Sequence, residues 1–295
     1  MERAWDGLGL ALKVLSLRNG NLIKYFGPVK PERGEESQPM PTFEEELKRF
    51  EPMIRFLSRL SLAGKKVEVR GEENFVTEGP NLIVGNHIGS YKDVATLFRV
   101  VPRPIFFTAN KEIFNKQDLY FLIRRYLKRH LRDFGWTVDR LITPLKYLFA
   151  TYISSNIAMI GTVPANMKLD RKNEKGETVG RCVDIIRSGR ALITLQGRGR
   201  LQKKAANPYV DTFRRGASFI AYNLYVNHKL NIPVTPLAFY GTQTPVLVPG
   251  KVQVNVGSPM FIADYVVQGI NESVENFRAA LEARVKALFF DLIRT

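Results

Sequence analysis

The chain is poor in the residues that staple a small domain or bind metal. It has one cysteine, Cys182, among 295 residues. No disulfide can close within it, which suits a reducing compartment. Cys182 lies in GRCVDIIRSG with no acid or histidine at motif spacing, and reads as a small core residue. The three histidines are His87, His130 and His228. None has a paired ligand at useful spacing, so no metal site is expected. G-x-S-x-G is absent, and no other serine or cysteine nucleophile motif occurs. No uncharged apolar run reaches the roughly 18 residues that a membrane span needs. The nearest, LITPLKYLFATYISSNIAMIG at 141–161, is interrupted by Pro144, Lys146 and a cluster of Ser, Thr and Asn. Residues 1–17 carry charges throughout and lack a clean apolar core with a cleavage site, so no secretory signal is expected. Acids are scarce as well: 28 Asp and Glu face 44 Lys and Arg, a net charge of +16. That surplus attracts an anion: nucleic acid, an acidic membrane surface, a phosphorylated substrate or an acidic carrier protein. No RNA- or DNA-binding signature is present, and the aromatics lie in apolar runs, so nucleic acid is not expected.

What is present is a globular chain, 45% hydrophobic and 24% charged, long enough for a sizeable core. Thr42 and Glu45 have capping-box spacing. Leu47, Phe50, Ile54, Leu57 and Leu60 follow at helical intervals. From Lys66 the pattern changes. KVEVRG alternates like a strand, and NLIVGN and RPIFFTAN read as buried strands. KEIFNKQDLYFLIRRYLKRHLRDF is a basic stretch of one or two helices. NIAMIGTV, ALITLQ, IPVTPLAFYG and KVQVNVGSP are further strands, with helical GETVGRCVDIIRSG and TFRRGASFIAYNLYV among them. Strands alternating with helices predict an α/β fold: a mostly parallel or mixed central sheet flanked by helices, with an N-terminal helical extension. The expected divisions are an N-terminal helical segment at 1–65, the α/β domain at 66–265 and a C-terminal amphipathic helix at 266–295. In that helix Val274, Phe277, Leu281, Val285 and Leu288 share one side.

One stretch carries candidate chemistry, LIVGNHIGSYKDVATLF at 82–98. It reads as a strand, a turn and a helix, and the turn lies where open α/β sheets bind ligands. Two readings stand side by side. Ser90 and Asp93 form S-x-x-D, a capping signature that makes both residues structural. Alternatively His87 is a general base oriented by Asp93, which fixes the imidazole tautomer and stabilises the imidazolium. With no nucleophile of its own, such a pair acts on a hydroxyl that the substrate brings.

NHIGSYKDV resembles the first motif, N-H-x-x-x-x-D, of the glycerolipid acyltransferases, the 1-acylglycerol-3-phosphate acyltransferase family. FFTANKEIF resembles the segment after the family's first helix. MIGTVPANMK resembles the second motif, G-x-x-P-V-D-R, and GRALITLQGRGR the third, F-P-E-G-T-R-S. FRRGASFIAYNLYVNHKLNIPVTPLAFYG and KVQVNVGSPM resemble its fourth region and closing strand. Together they span roughly residues 66–262, in order.

The resemblance implies an O-acyltransferase. It would move a fatty acyl group from an acyl thioester, acyl-CoA or acyl-carrier protein, to a hydroxyl of a precursor such as lysophosphatidic acid or glycerol 3-phosphate. His87 and Asp93 would be catalytic. Gln196, Gly197, Arg198, Arg200 and Lys168 would bind substrate, and no cofactor would be needed. The basic surplus then implies a peripheral protein on the cytoplasmic side of an anionic membrane, with the basic helices near 111–146 in contact. Three departures stand out. Five residues separate His87 from Asp93 where the family has four; Gly89 or Ile88 is the expected insertion, and glycine, able to adopt φ > 0, can absorb it as a bulge. Asn166 and Met167 replace the second motif's Asp and Arg. Gln196 replaces the third motif's Glu. A chain that keeps the fold and binds lipid or acyl carrier without turnover is the alternative.

Overall fold

The computed structural model describes residues 43–131, 135–156, 162–165, 172–202, 206–246 and 248–294. The chain divides into two compact units, one of which contains residues 112–158 and the other 42–111 and 159–295.

The larger unit is built on one sheet. Its strands are β1 (Lys65–Arg70), β2 (Asn81–His87), β3 (Ile105–Asn110), β4 (Thr162–Ala165), β5 (Ala191–Gly197), β6 (Val234–Tyr240) and β7 (Gly250–Val256). Their spatial order is β1-β7-β6-β2-β5-β3-β4. Every neighbouring pair is parallel except β6 with β7, so the sheet is mixed. The helices of this unit are α1 (Phe43–Ser61), α2 (Tyr91–Val100), α6 (Lys172–Arg187), α7 (Gly216–His228) and α8 (Ile270–Ile293). Central β2 is buried from Asn81 to Asn86, as a strand covered on both faces must be. The main core joins β2, β5 and β6 to α6, α7 and α8 through Leu82, Leu192, Val234, Ile186, Leu224 and Phe277. All five residues expected on the inner side of α8 are buried, Val285 and Phe277 completely. Each contributes roughly 1.5–3 kcal/mol of hydrophobic stabilisation. Cys182 is also fully buried in this core.

Two details differ from the sequence reading. The inner face of α1 runs through Ile54, Ser58 and Leu62, whereas Leu60 is exposed. Pro52 lies inside α1, and the Thr42 cap falls outside the described residues. NIAMIGTV is not one strand: Asn156 ends a helix, and β4 begins at Thr162.

The smaller unit holds α3 (Lys116–Leu131), α4 (Gly135–Leu141) and α5 (Thr143–Asn156). Buried Asp139 anchors it by accepting from Lys146 Nζ and pairing with Arg124 at 3.3 Å. Lys116 caps the ring of Tyr147 at 3.6 Å. Among the described residues no helix is long and apolar enough to cross a membrane.

Candidate active site

His87 is the last residue of β2, at the C-terminal end of the sheet between β5 and β6. Its position is fixed from both sides. On the β5 side the register pairs Asn86 with Gln196 and His87 with Gly197. On the β6 side the backbone pairing stops at Gly85 with Leu237. The Asn86 side chain then takes over. Its Oδ1 accepts from Phe239 N–H at 2.7 Å, and its Nδ2 donates to the Phe239 and Tyr209 carbonyls, both at 3.1 Å. Asn86 is fully buried and its carboxamide is used on both ends. The sequence marks Asn86 only as a motif letter; in the fold it holds the end of β2 in place.

The turn after His87 is organised by one carboxylate oxygen. Asp93 Oδ2 accepts from His87 Nδ1–H at 2.8 Å, Ile88 N–H at 2.9 Å and Gly89 N–H at 2.8 Å. A carboxylate can only accept, so Nδ1 is the donor, and in the neutral imidazole Nε2 is the ring nitrogen with the free lone pair. Asp93 is completely buried, while the His87 side chain remains 20% exposed. The pair therefore has the orientation that a general base needs.

The capping reading of S-x-x-D is corrected here. Ser90 occupies the N-cap of α2 but makes no side-chain cap hydrogen bond. Asp93 does not close a reciprocal capping box either; its carboxylate serves the residues before Ser90. The expected place of backbone strain also changes. Gly89 does not have positive φ; Ser90 does, at φ 58 and ψ −127. With Lys92 N–H bonded to the Gly89 carbonyl at 3.2 Å, Ser90 sits at the second position of a II′-type turn, where glycine is usual. Gly89 is needed for another reason. A Cβ there would lie 2.4 Å from Thr242 Cβ and 2.7 Å from its carbonyl oxygen.

The QGRGR segment lies against the histidine. A Cβ on Gly197 would fall 2.9 Å from the His87 carbonyl oxygen, and one on Gly199 would fall 3.0 Å from His87 Nε2. Gly199 has φ +68, so glycine is required there both for conformation and for space. Arg198 and Arg200 are exposed on this turn, and among the described residues their guanidiniums have no partner. Gln196 is buried at 7% exposure, and its Oε1 accepts from Arg214 N–H at 3.0 Å. Side chains alternate along a strand, so Gln196 and His87 project to opposite faces of the sheet. Gln196 fixes the 211–215 segment. Asn166, Met167 and Lys168 lie outside the described residues. His228 ends α7 and is not at the site. Among the described residues no group of acids, cysteines and histidines can hold a metal.

The sequence reading missed Thr242 and Lys92, and took Gly199 as part of an anion cradle without placing it against His87. Lys92 was hidden because the partner of its ammonium, the Thr244 carbonyl, is 152 residues away.

The sequence model of the family described as Acyltransferase matches residues 66–240, more than half of the chain. Among solved structures, the 1-acyl-sn-glycerophosphate (LPA) acyltransferase PlsC from Thermotoga maritima aligns at 17% identity and a TM-score of 0.49. The alignment covers 86% of this chain and 84% of that one. No curated protein matches. The match over 66–240 embraces β1 to β6, the His87–Asp93 turn and the QGRGR segment, and by it the chain belongs to the acyltransferase family.

Proposed function

We propose that the protein is a glycerolipid O-acyltransferase. It would move a fatty acyl group from acyl-CoA or acyl-carrier protein to a hydroxyl of lysophosphatidic acid, glycerol 3-phosphate or a related precursor. One observation carries the reading: a buried carboxylate holds His87 through Nδ1 while the side chain stays partly exposed, and no protein nucleophile motif accompanies it. The acceptor hydroxyl approaches Nε2. His87 takes its proton as the oxygen attacks the thioester carbonyl. Asp93 stabilises the imidazolium so formed. The tetrahedral intermediate expels the thiolate, and the proton passes from Nε2 to the sulfur. A thiol pKa near 8.5 makes this departure easy. General-base help is worth about 10²–10⁴ in rate.

Arg198 and Arg200 offer guanidiniums to a substrate anion next to Gly199. Lys168 belongs to the same proposal from sequence alone. Peripheral contact with an anionic membrane on its cytoplasmic side is also part of it. In its support, the chain carries +16, and the smaller unit exposes Phe121, Leu141, Tyr147 and Leu148 on helices that also carry Lys116 and Arg125.

The test is thiol release from acyl-CoA and acyl-carrier donors, with and without lysophosphatidic acid or glycerol 3-phosphate, comparing the native chain with His87→Ala. Acceptor-dependent release that the variant loses supports the reading. Donor binding with no release above the variant would instead favour a chain that binds acyl carriers without turnover.

A further inference from the structure

Two lysines are buried on the β6 side of His87. Lys65, at the start of β1, is 9% exposed, and Lys92, in the first turn of α2, is 5% exposed. Both ammoniums converge on Thr244 in the loop that joins β6 to β7. Lys65 Nζ donates to Thr244 Oγ1 and to the Val248 carbonyl, each at 2.6 Å. Lys92 Nζ donates to the Thr244 carbonyl. Among the described residues neither forms an ion pair with a carboxylate. Asp93 is the one acid that acts on Lys92 at a distance, and its hydrogen-bonding oxygen is already committed to His87 and two backbone amides. Burial, and then the Lys65 charge, hold the Lys92 pKa below its ordinary value.

Ordinary tethering does not account for this arrangement. Buried ammoniums are normally paired with acids, because desolvation is costly. Hydrogen bonds to neutral oxygens leave most of that cost in place. An ammonium also has three donors. Lys65 uses two and Lys92 one, so three N–H groups remain near Thr244. Among the described residues the Thr242 hydroxyl, two residues earlier, is fully buried and has no hydrogen-bond partner. Pro245 and Val248 of the same loop are exposed.

We propose that Lys65, Lys92 and Thr242 form a binding site for a phosphate-class oxyanion, on the opposite side of His87 from Arg198 and Arg200. A substrate phosphate and free inorganic phosphate share this chemistry. Placing a substrate phosphate there rests on the acyl-transfer reading; anion binding does not.

The experiment titrates the full-length chain with inorganic phosphate at constant ionic strength, replacing chloride, and follows heat of binding and melting temperature. Native protein binds saturably, and Lys92→Met and Lys65→Met each weaken binding at least tenfold. Thr242→Val does so too, and keeps the fold, because its hydroxyl has no protein partner to lose. Thr242→Val therefore decides the matter if either lysine variant fails to fold. Absence of saturable binding by the native chain overturns the proposal. So does binding that survives all three variants but vanishes in Arg198→Gln or Arg200→Gln. The same variants are then titrated with CoA and with lysophosphatidic acid. A parallel loss of affinity for one of them identifies the substrate that uses the site; loss for inorganic phosphate alone assigns free phosphate. These are binding readouts, so they stand even if no acyl transfer is found.

Discussion

Replacing Asp93 by asparagine and by alanine separates charge from geometry at the candidate site. Among the described residues all three hydrogen bonds to the carboxylate fall on Oδ2, and Oδ1 is buried with no hydrogen-bond partner. Asparagine can therefore place its carbonyl oxygen where Oδ2 lies and its amide where Oδ1 lies. The Ile88, Gly89 and His87 donors all keep an acceptor, and Nε2 stays unprotonated. The negative charge is lost, and the new amide at the Oδ1 position finds no acceptor among the described residues, which costs stability about 1–3 kcal/mol but leaves the ring oriented. A hydrogen bond to a charged group contributes about 1.5–3 kcal/mol and a neutral one about 0.5–1.5. The difference, of order 1–2 kcal/mol at the imidazolium, lowers the rate roughly 5- to 30-fold. Alanine removes the acceptor. It strands two buried amides at about 1–3 kcal/mol each. It also frees the imidazole, so the full general-base contribution of roughly 10²–10⁴ is lost. The assay is acceptor-dependent thiol release alongside urea melts of both variants. An Asp93→Asn protein as inactive as His87→Ala would refute the argument from the unpartnered oxygen. An Asp93→Ala protein as stable as wild type would refute the role of Asp93 in holding the turn.

Gly199→Ala places a methyl 3.0 Å from His87 Nε2 at a backbone φ of +68. Thiol release is expected to fall at least tenfold for about 1–2 kcal/mol of stability, the cost of left-handed backbone; normal turnover would show that the acceptor does not approach past Gly199. Ser90→Ala should change stability by less than about 0.5 kcal/mol, because no cap bond is lost, whereas an N-cap serine that bonds contributes about 1. Ser90→Gly should stabilise by about 1 kcal/mol by relieving the positive φ, and a destabilised glycine variant in urea melts would contradict that. Burial pushes the Cys182 thiol up from 9.0 to about 12. Between those values the unfolded chain loses a proton that the folded one keeps, so stability falls with rising pH by about 1.4 kcal/mol per unit. Cys182→Ala removes that contribution, and matching pH slopes for the two proteins would disprove it.

The architecture was legible because its strands carry their own signals. NLIVGN is apolar enough to require cover on both faces, and α8 shows its buried stripe every three or four residues. Less legible was anything set by register. The approach of Gly197 and Gly199 to His87 depends on β2 pairing with β5 across more than 100 residues. The Lys65–Thr244 bond spans 179 residues. Neither lysine carries a local signal, since a lone lysine in a sequence reads as a solvated charge. Gln196 shows the converse case. Its place in a motif suggested substrate contact, but strand alternation directs it away from His87 and onto Arg214 N–H.

The turn between His87 and Asp93 shows why motif spacing alone misled. Five intervening residues look like a defect if the pair is imagined as two side chains reaching for each other. The carboxylate instead gathers the Ile88 and Gly89 amides together with the imidazole, so the residues next to His87 are held by the same oxygen that orients its ring. An extra residue is tolerable provided those donors still face Asp93. The chain must then reverse within one residue before α2 starts, and that reversal falls on Ser90. Gly89 cannot move aside to share it, because Thr242 packs where its side chain would be. A serine in a glycine-like conformation costs of order 1–3 kcal/mol and persists only where its surroundings over-determine it. Three hydrogen bonds to one buried oxygen, a close glycine contact and the Lys92–Thr244 bond supply that constraint. The strain at Ser90 is thus the local consequence of keeping the His87–Asp93 pair intact around a longer turn.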